Sequence, residues 1–108
     1  MSDGPERKDS VHFAAVVAMF TASDGTVERV KLFGYDCLRA NGKVFTKVDK
    51  GRLIVRLPPE RIEALMLAGR LAPYERGLRA MKQWAAIEHA DTPLVLELAR
   101  EARALVGG

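Results

Sequence analysis

The sequence predicts an α+β domain of two layers, with three helices packed against one antiparallel sheet in the order α-β-β-β-β-α-β-α. Three observations carry that prediction. From Val27 to Leu57 apolar and polar residues alternate with period two, and Asn41-Gly42 and Asp49-Lys50-Gly51 punctuate the run as turns. Helical spacing replaces the alternation on both sides of this segment. The length of 108 residues and the 48% hydrophobic content supply one core, since a chain of this size hides roughly two-thirds of its unfolded surface. They do not supply two. Residues 10–108 therefore read as a single domain, and the polar residues 1–9, which include Gly4-Pro5, as a frayed tail.

Ser10 is a candidate N-cap for a first helix over residues 11–21. At 100° per residue, Phe13, Val16, Val17, Met19 and Phe20 share one broad face, and Val11, Ala14, Ala15 and Ala18 lie opposite. Such a helix has almost no polar face. Either both sides are covered within the monomer, or the small-residue side, Val11, Ala14, Ala15 and Ala18, meets a second copy of the chain.

Asp24-Gly25 signals a turn, after which Glu28–Leu32 reads as the first strand. Phe33-Gly34-Tyr35 continues or bends it, and Asp36–Ala40 forms the second strand. Asn41-Gly42 is the strongest hairpin signal, because both central turn positions need positive φ. Lys43–Val48 and Arg52–Leu57 complete a four-stranded meander. Pro58-Pro59-Glu60 ends the last strand and starts a second helix, with Ile62, Leu65 and Met66 facing inward and Gly69 as its C-terminal cap. Residues 70–79, with Pro73 and Gly77, are expected to be a connection. Met81–Glu88 then adds a further strand, although its alanines also permit a helix, so the sheet is a meander plus one or two strands. Asp91 caps the final helix, with Leu94, Leu98 and Leu105 on one side and Val95 and Ala102 adjoining.

Chemistry-bearing patterns are sparse. His12 and His89 are far apart in sequence, no His-x-x-x-His pair occurs, and Cys37 is the only cysteine. No nucleophile elbow, phosphate loop or acidic metal-binding spacing is present. His12 fits a partly buried structural role, and Cys37 a small buried hydrophobe within a strand. The expectation is a protein that is not an enzyme, with no catalytic residue, no metal, no cofactor and no small-molecule substrate evident. Seventeen Lys and Arg against 14 Asp and Glu give a net charge of +3, a mild excess that allows acidic partners without demanding them. The most apolar run, Phe13–Phe20, falls far short of the roughly 20 residues of a membrane span. The mixed charges of the first nine residues and the lack of a small-residue cleavage site at Met19-Phe20-Thr21 argue against export, so a cytoplasmic protein with no membrane partner is expected.

The sheet offers a candidate binding surface. In the fourth strand Leu53, Val55 and Leu57 share one side, and Arg52, Ile54 and Arg56 the other. Arg29, Lys31 and Phe33 share a side of the first strand, and Lys43, Phe45 and Lys47 a side of the third. If these sides coincide, Arg29, Lys31, Phe33, Lys43, Phe45, Lys47, Arg52 and Arg56 form a basic, aromatic face on which bases could stack while cations hold phosphates. Alternatively, the charges are simply the solvated side of a meander, and Phe33 or Phe45 packs under a helix.

Several segments carry a family resemblance. Lys31-Leu32-Phe33-Gly34-Tyr35, Asn41-Gly42-Lys43-Val44-Phe45, Arg52-Leu53-Ile54-Val55-Arg56-Leu57, Pro73-Tyr74-Glu75 and Met81-Lys82-Gln83-Trp84 occur in that order. Together they resemble the TfoX N-terminal domain family, the Sxy-like proteins of bacteria, from the first helix to the last. The resemblance implies a two-layer α+β fold of helices on one antiparallel sheet. The family's founding members regulate natural competence with a transcription factor and carry a second, helical domain, so this sequence is expected to be a stand-alone version of the N-terminal one. Its first helix departs from the family pattern in being apolar all round. The combined expectation is a bacterial cytoplasmic interaction or regulatory module whose partner is another protein or a second copy, as in a homodimer. The alternative is weak nucleic-acid binding, related to transcription, on the basic sheet face.

Overall fold

A computed structural model describes the backbone of residues 5–76 and 79–107 and the side chains of residues 11–75 and 82–107. The elements are α1 (Pro5–Ser23), β1 (Glu28–Leu32), β2 (Tyr35–Ala40), β3 (Lys43–Asp49), β4 (Arg52–Arg56), α2 (Pro59–Leu67), β5 (Leu71–Arg76), β6 (Arg79–Ile87) and α3 (Thr92–Leu105). The strands form one open antiparallel sheet in the order β1-β2-β3-β4-β6-β5. The α+β class and the two layers follow the sequence reading.

Three two-residue turns set the meander. Asn41-Gly42, Lys50-Gly51 and Phe33-Gly34 all have positive φ at both positions, the mirror-image turn whose twist matches that of paired strands. Asn41 tolerates this conformation, and its side chain also donates to the Gly107 carbonyl at 2.7 Å. Phe33 at φ 52° carries strain of about 1 kcal/mol. Phe33-Gly34 thus closes a hairpin rather than continuing the first strand.

The β2–β3 pairing contains a bulge. Leu38 faces Thr46 but Arg39 faces Val44, so Phe45 is the additional residue. Phe45 and Thr46 are both buried, and the Thr46 hydroxyl donates to the Ile54 carbonyl at 2.7 Å. The Phe45 ring meets Phe20 of α1 edge-on, with centroids 5.4 Å apart.

The strand β5 occupies the stretch expected as a connection. Pro73 argues against a central strand, but β5 lies at the sheet edge, where a missing N–H removes nothing from the β6 pairing. The strand β6 inserts between β4 and β5, which resolves the strand-or-helix ambiguity of its alanines: Ala85 faces the helices and Ala86 the opposite side, both fully buried.

All three helices cover one sheet face. Phe13, Val16 and Phe20 of α1, Ile62 and Leu65 of α2, and Val95, Leu98, Ala99 and Ala102 of α3 meet Leu38, Phe45, Leu53, Val55, Leu57 and Ala85 in one core. Two helix expectations are corrected. The helix α1 starts at Pro5, so Ser10 is interior rather than an N-cap and residues 5–9 are helical rather than frayed; residues 1–4 lie outside the described residues. Proline suits the first helical turn, and no helix breaker follows it before Ser23. In α2, Met66 is exposed rather than inward, because Ile62 and Leu65 alone form the buried stripe.

The helix ends follow their sequence signals. Gly69 N–H donates to Met66 O and Arg70 N–H to Leu65 O, the paired bonds of a glycine-terminated helix. The Asp91 carboxylate accepts from the Leu94 amide at 3.0 Å. Leu105 lies at the margin of α3, half-exposed, and Val95 and Ala99 take the centre of its buried stripe. Two ion pairs tie the helices together. Arg61 of α2 binds Glu101 of α3 through both Nε and Nη2 at 2.9 Å, and these bonds push the guanidinium up from its already high value. Arg103 of α3 binds Asp24, beyond the end of α1, at 2.9 Å.

Candidate functional site

Among the described residues no helix covers the second face of the sheet. Strand register places Leu32, Tyr35, Cys37, Arg39, Val44, Lys47, Asp49, Arg52, Ile54, Arg56, Trp84 and Ala86 on that face. Ile54 and Ala86 are nevertheless fully buried, because Tyr74 of β5 packs against both. Ala86 leaves room for that ring where a larger residue would lift it. The Tyr74 hydroxyl donates to Asp49 Oδ2 of β3 at 2.5 Å, so the side chain bridges β5 to β3 across β6 and β4. Asp49 is itself only 7% exposed.

Beside this bridge lies Lys47. Its Nζ is 4.9 Å from the ring centroid of Tyr35, 5.0 Å from Tyr74 and 5.2 Å from Trp84. The negative ring faces stabilise the ammonium and fix its position. Arg52 also approaches the Tyr74 ring, at 6.0 Å. Arg56 Nη2 donates to Gln83 Oε1 at 3.3 Å, and Arg56 Nε is buried without a hydrogen bond. A recess of about 220 Å³ opens next to Lys47, between the β1–β2 turn and β6. Cys37 is in its lining; burial pushes the thiol up, and its Sγ donates to the Tyr35 carbonyl. The thiol is held as a neutral wall.

The expected basic face forms only in part. Lys47, Arg52 and Arg56 do share the helix-free face, and Phe33, 95% exposed, stands at its rim. Arg29 and Lys31 pair with Leu38 and Asp36 on the opposite face, where the Arg29 guanidinium lies 5.5 Å over the Phe13 ring. Lys43 pairs with Ala40, whose side chain belongs to the core beneath the helices. Phe45 is fully buried in that core. For Lys43 and Phe45 the reason is the bulge, where one additional residue in β3 reverses the alternation between Val44 and Lys47; Arg29 and Lys31 are placed by the β1–β2 register, which sets Val30 beside Cys37 and Lys47 instead. Tyr35, Asp49, Tyr74 and Trp84 were outside the expected set. Tyr35 and Trp84 could have been found by carrying the alternation through the two-residue turn and onto β6. Tyr74 lay in the stretch read as a connection, and Asp49 was assigned to a turn.

The outer face of α1 is the second candidate surface. Val11 is 62% exposed, Ala14 and Ala18 are exposed, and Ala15 is half-buried, while Phe13, Val16 and Phe20 are covered. Of the two outcomes open from the sequence, coverage of both sides within the monomer does not occur. A third feature is an apolar groove of about 530 Å³ between α2 and the β5–β6 hairpin, lined by Pro59, Ile62, Met66, Leu67, Pro73 and Lys82 among others. His12 is half-buried on α1, and His89 is exposed in the β6–α3 turn. Among the described residues no three His, Cys, Asp or Glu side chains converge as metal ligands, and no helix is long and apolar enough to cross a membrane. Comparison of the chain with protein-family models, curated proteins and solved structures finds no match.

Proposed function

We propose that this chain is a non-enzymatic, cytoplasmic interaction module that associates with a second copy of itself through the outer face of α1. The observation that carries this reading is the solvent exposure of Val11, Ala14 and Ala18 on a helix with no charged residue between Val11 and Ser23. A solvated helix face ordinarily carries charges, and small side chains let two helix backbones approach closely. The resemblance to the TfoX N-terminal domain family supports a regulatory rather than a catalytic role. Light scattering across a range of concentrations tests the proposal. Dimers are expected for the native chain and monomers for Ala14→Glu and Ala18→Arg, each with an unchanged circular dichroism spectrum. A native chain that stays monomeric at the highest concentration overturns it.

A second reading is favoured by the row of Lys47, Arg52 and Arg56 on the helix-free face, with Phe33 at its rim. Cations beside aromatic rings suit single-stranded nucleic acid. This reading expects oligonucleotide affinity that falls steeply with salt. No gel shift at low salt removes it.

A further inference from the structure

We propose that the outer margin of β1 is a docking site for an extended acidic segment of a partner protein, which adds to the sheet as a further strand. An edge strand presents unpaired main-chain groups, and proteins ordinarily blunt it with a proline, a bulge or a covering element. The margin at β5 has Pro73 and an irregular register between Pro73 and Glu75. The margin at β1 has neither. It pairs with β2 in unbroken register, from Glu28 opposite Arg39 to Leu32 opposite Tyr35, and among the described residues no strand lies beyond it. Main-chain bonding along such an edge is a general mode of peptide recognition, with the neighbouring side chains choosing the sequence.

The register also decides which groups face outward. Leu32 and Tyr35 flank a two-residue turn, and such a flanking pair exchanges both of its hydrogen bonds. Hydrogen-bonded pairs then alternate along the ladder, so Leu32, Val30 and Glu28 direct their N–H and C=O groups to β2. Those of Arg29 and Lys31 point away from it. The same two residues carry cations, on the helix side of the strand. Asp36 stands opposite Lys31 and 3.9 Å from Arg29, one carboxylate against two positive charges. Glu28, on the other side, is held by Arg39 at 3.0 Å. An incoming antiparallel strand that bonds to Arg29 and Lys31 sets two of its own residues, spaced two apart, beside these cations. Acidic side chains are selected there, since opposite charges attract across a strand pair. The residue between them lies beside the half-buried Val30, where an apolar side chain fits. The occupant is therefore an acidic-apolar-acidic stretch. The β1 margin of a second copy does not fit, because its own Arg29 and Lys31 would meet the same cations. The site excludes the outer face of α1, so it stands independently of self-association.

Amide resonances of the isotope-labelled native chain report on the margin directly. The blocked peptide Thr-Thr-Glu-Val-Glu-Thr-Thr is expected to shift the Arg29 and Lys31 amides saturably, with a Kd on the order of 0.1–1 mM at low salt. N-methylation of its two glutamate amides keeps the charges and removes the donors that face β1, and is expected to weaken binding at least tenfold. Replacing both glutamates by lysine is expected to have an effect of the same size. So is Lys31→Glu in the chain, at an exposed side chain whose replacement keeps the fold. Equal affinity of the parent and N-methylated peptides overturns the proposal, because attraction between charges alone would then account for binding. Native-like affinity of the Lys31→Glu chain, or saturable shifts confined to other strands, also overturns it. The absence of a saturable shift up to about 10 mM makes the cations a purely protective edge and overturns it as well. A single-stranded oligonucleotide that moves the same two amides where the peptide does not would overturn it in favour of nucleic-acid binding.

Discussion

Replacing Tyr74 by phenylalanine removes one hydroxyl and leaves the ring over Ile54 and Ala86. That hydroxyl donates to Asp49 at 2.5 Å, and both residues are buried. A hydrogen bond to a charged group contributes about 1.5–3 kcal/mol, and losing its donor leaves the carboxylate with one partner fewer where water does not easily replace it. The expected destabilisation is about 2 kcal/mol. For 108 residues, at about 2.1 cal/mol/K per residue, this lowers the thermal midpoint by about 9 °C. Because the ring remains, its contacts with Lys47 and Arg52 are kept, and the loss isolates the hydroxyl. Urea unfolding of Tyr74→Phe, Asp49→Asn and the double variant closes a cycle whose coupling should be about 1.5–3 kcal/mol. Coupling below about 0.5 kcal/mol, the usual scatter between independent sites, would refute the bridge as a stabilising contact.

Two further outcomes follow from the placement of residues. Phe45→Ala should cost about 3–5 kcal/mol and Phe33→Ala less than about 0.5 kcal/mol, read from urea midpoints, because the bulge buries the first ring and the turn exposes the second. Hydrogen bonds from the Thr26 hydroxyl and amide, followed by the Arg103 guanidinium, hold the Asp24 carboxyl below its ordinary value. A lowered folded-state value means stability that is fully present above the unfolded carboxylate range and is lost as pH falls through the folded value. Thermal midpoints measured from neutral to strongly acidic pH should therefore fall less for Asp24→Asn than for the native chain, and equal slopes would contradict the assignment.

The legible part of the fold is the part governed by local rules. Asn41-Gly42 marks a hairpin because few other residue pairs adopt two positive φ angles, and Asp91 marks a helix start because its carboxylate reaches an amide three residues on. Leu53, Val55 and Leu57 keep strict alternation and lie together on the helix side. The illegible part depends on events that alternation does not encode. A single additional residue at Phe45 moves the expected aromatic from the binding face to the core. Pro73 hides β5, since proline is tolerated in a strand only where the sheet ends, and sheet order is not written locally. Tyr74 and Asp49 are 25 residues apart and meet only because β6 inserts beside β4. The candidate face was visible as charges and as Phe33, while Tyr74 and Asp49 join it only through long-range pairing.

The two margins of the sheet have a consequence for how copies of this chain can meet. An open ribbon of six strands offers unpaired amides and carbonyls at β1 and β5, a template on which further chains could polymerise. Pro73 interrupts the donor row along one margin, and the cationic side chains of Arg29 and Lys31 repel an identical neighbour along the other. Growth by strand addition is thus discouraged at both ends. The self-association proposed for the outer face of α1 involves neither margin.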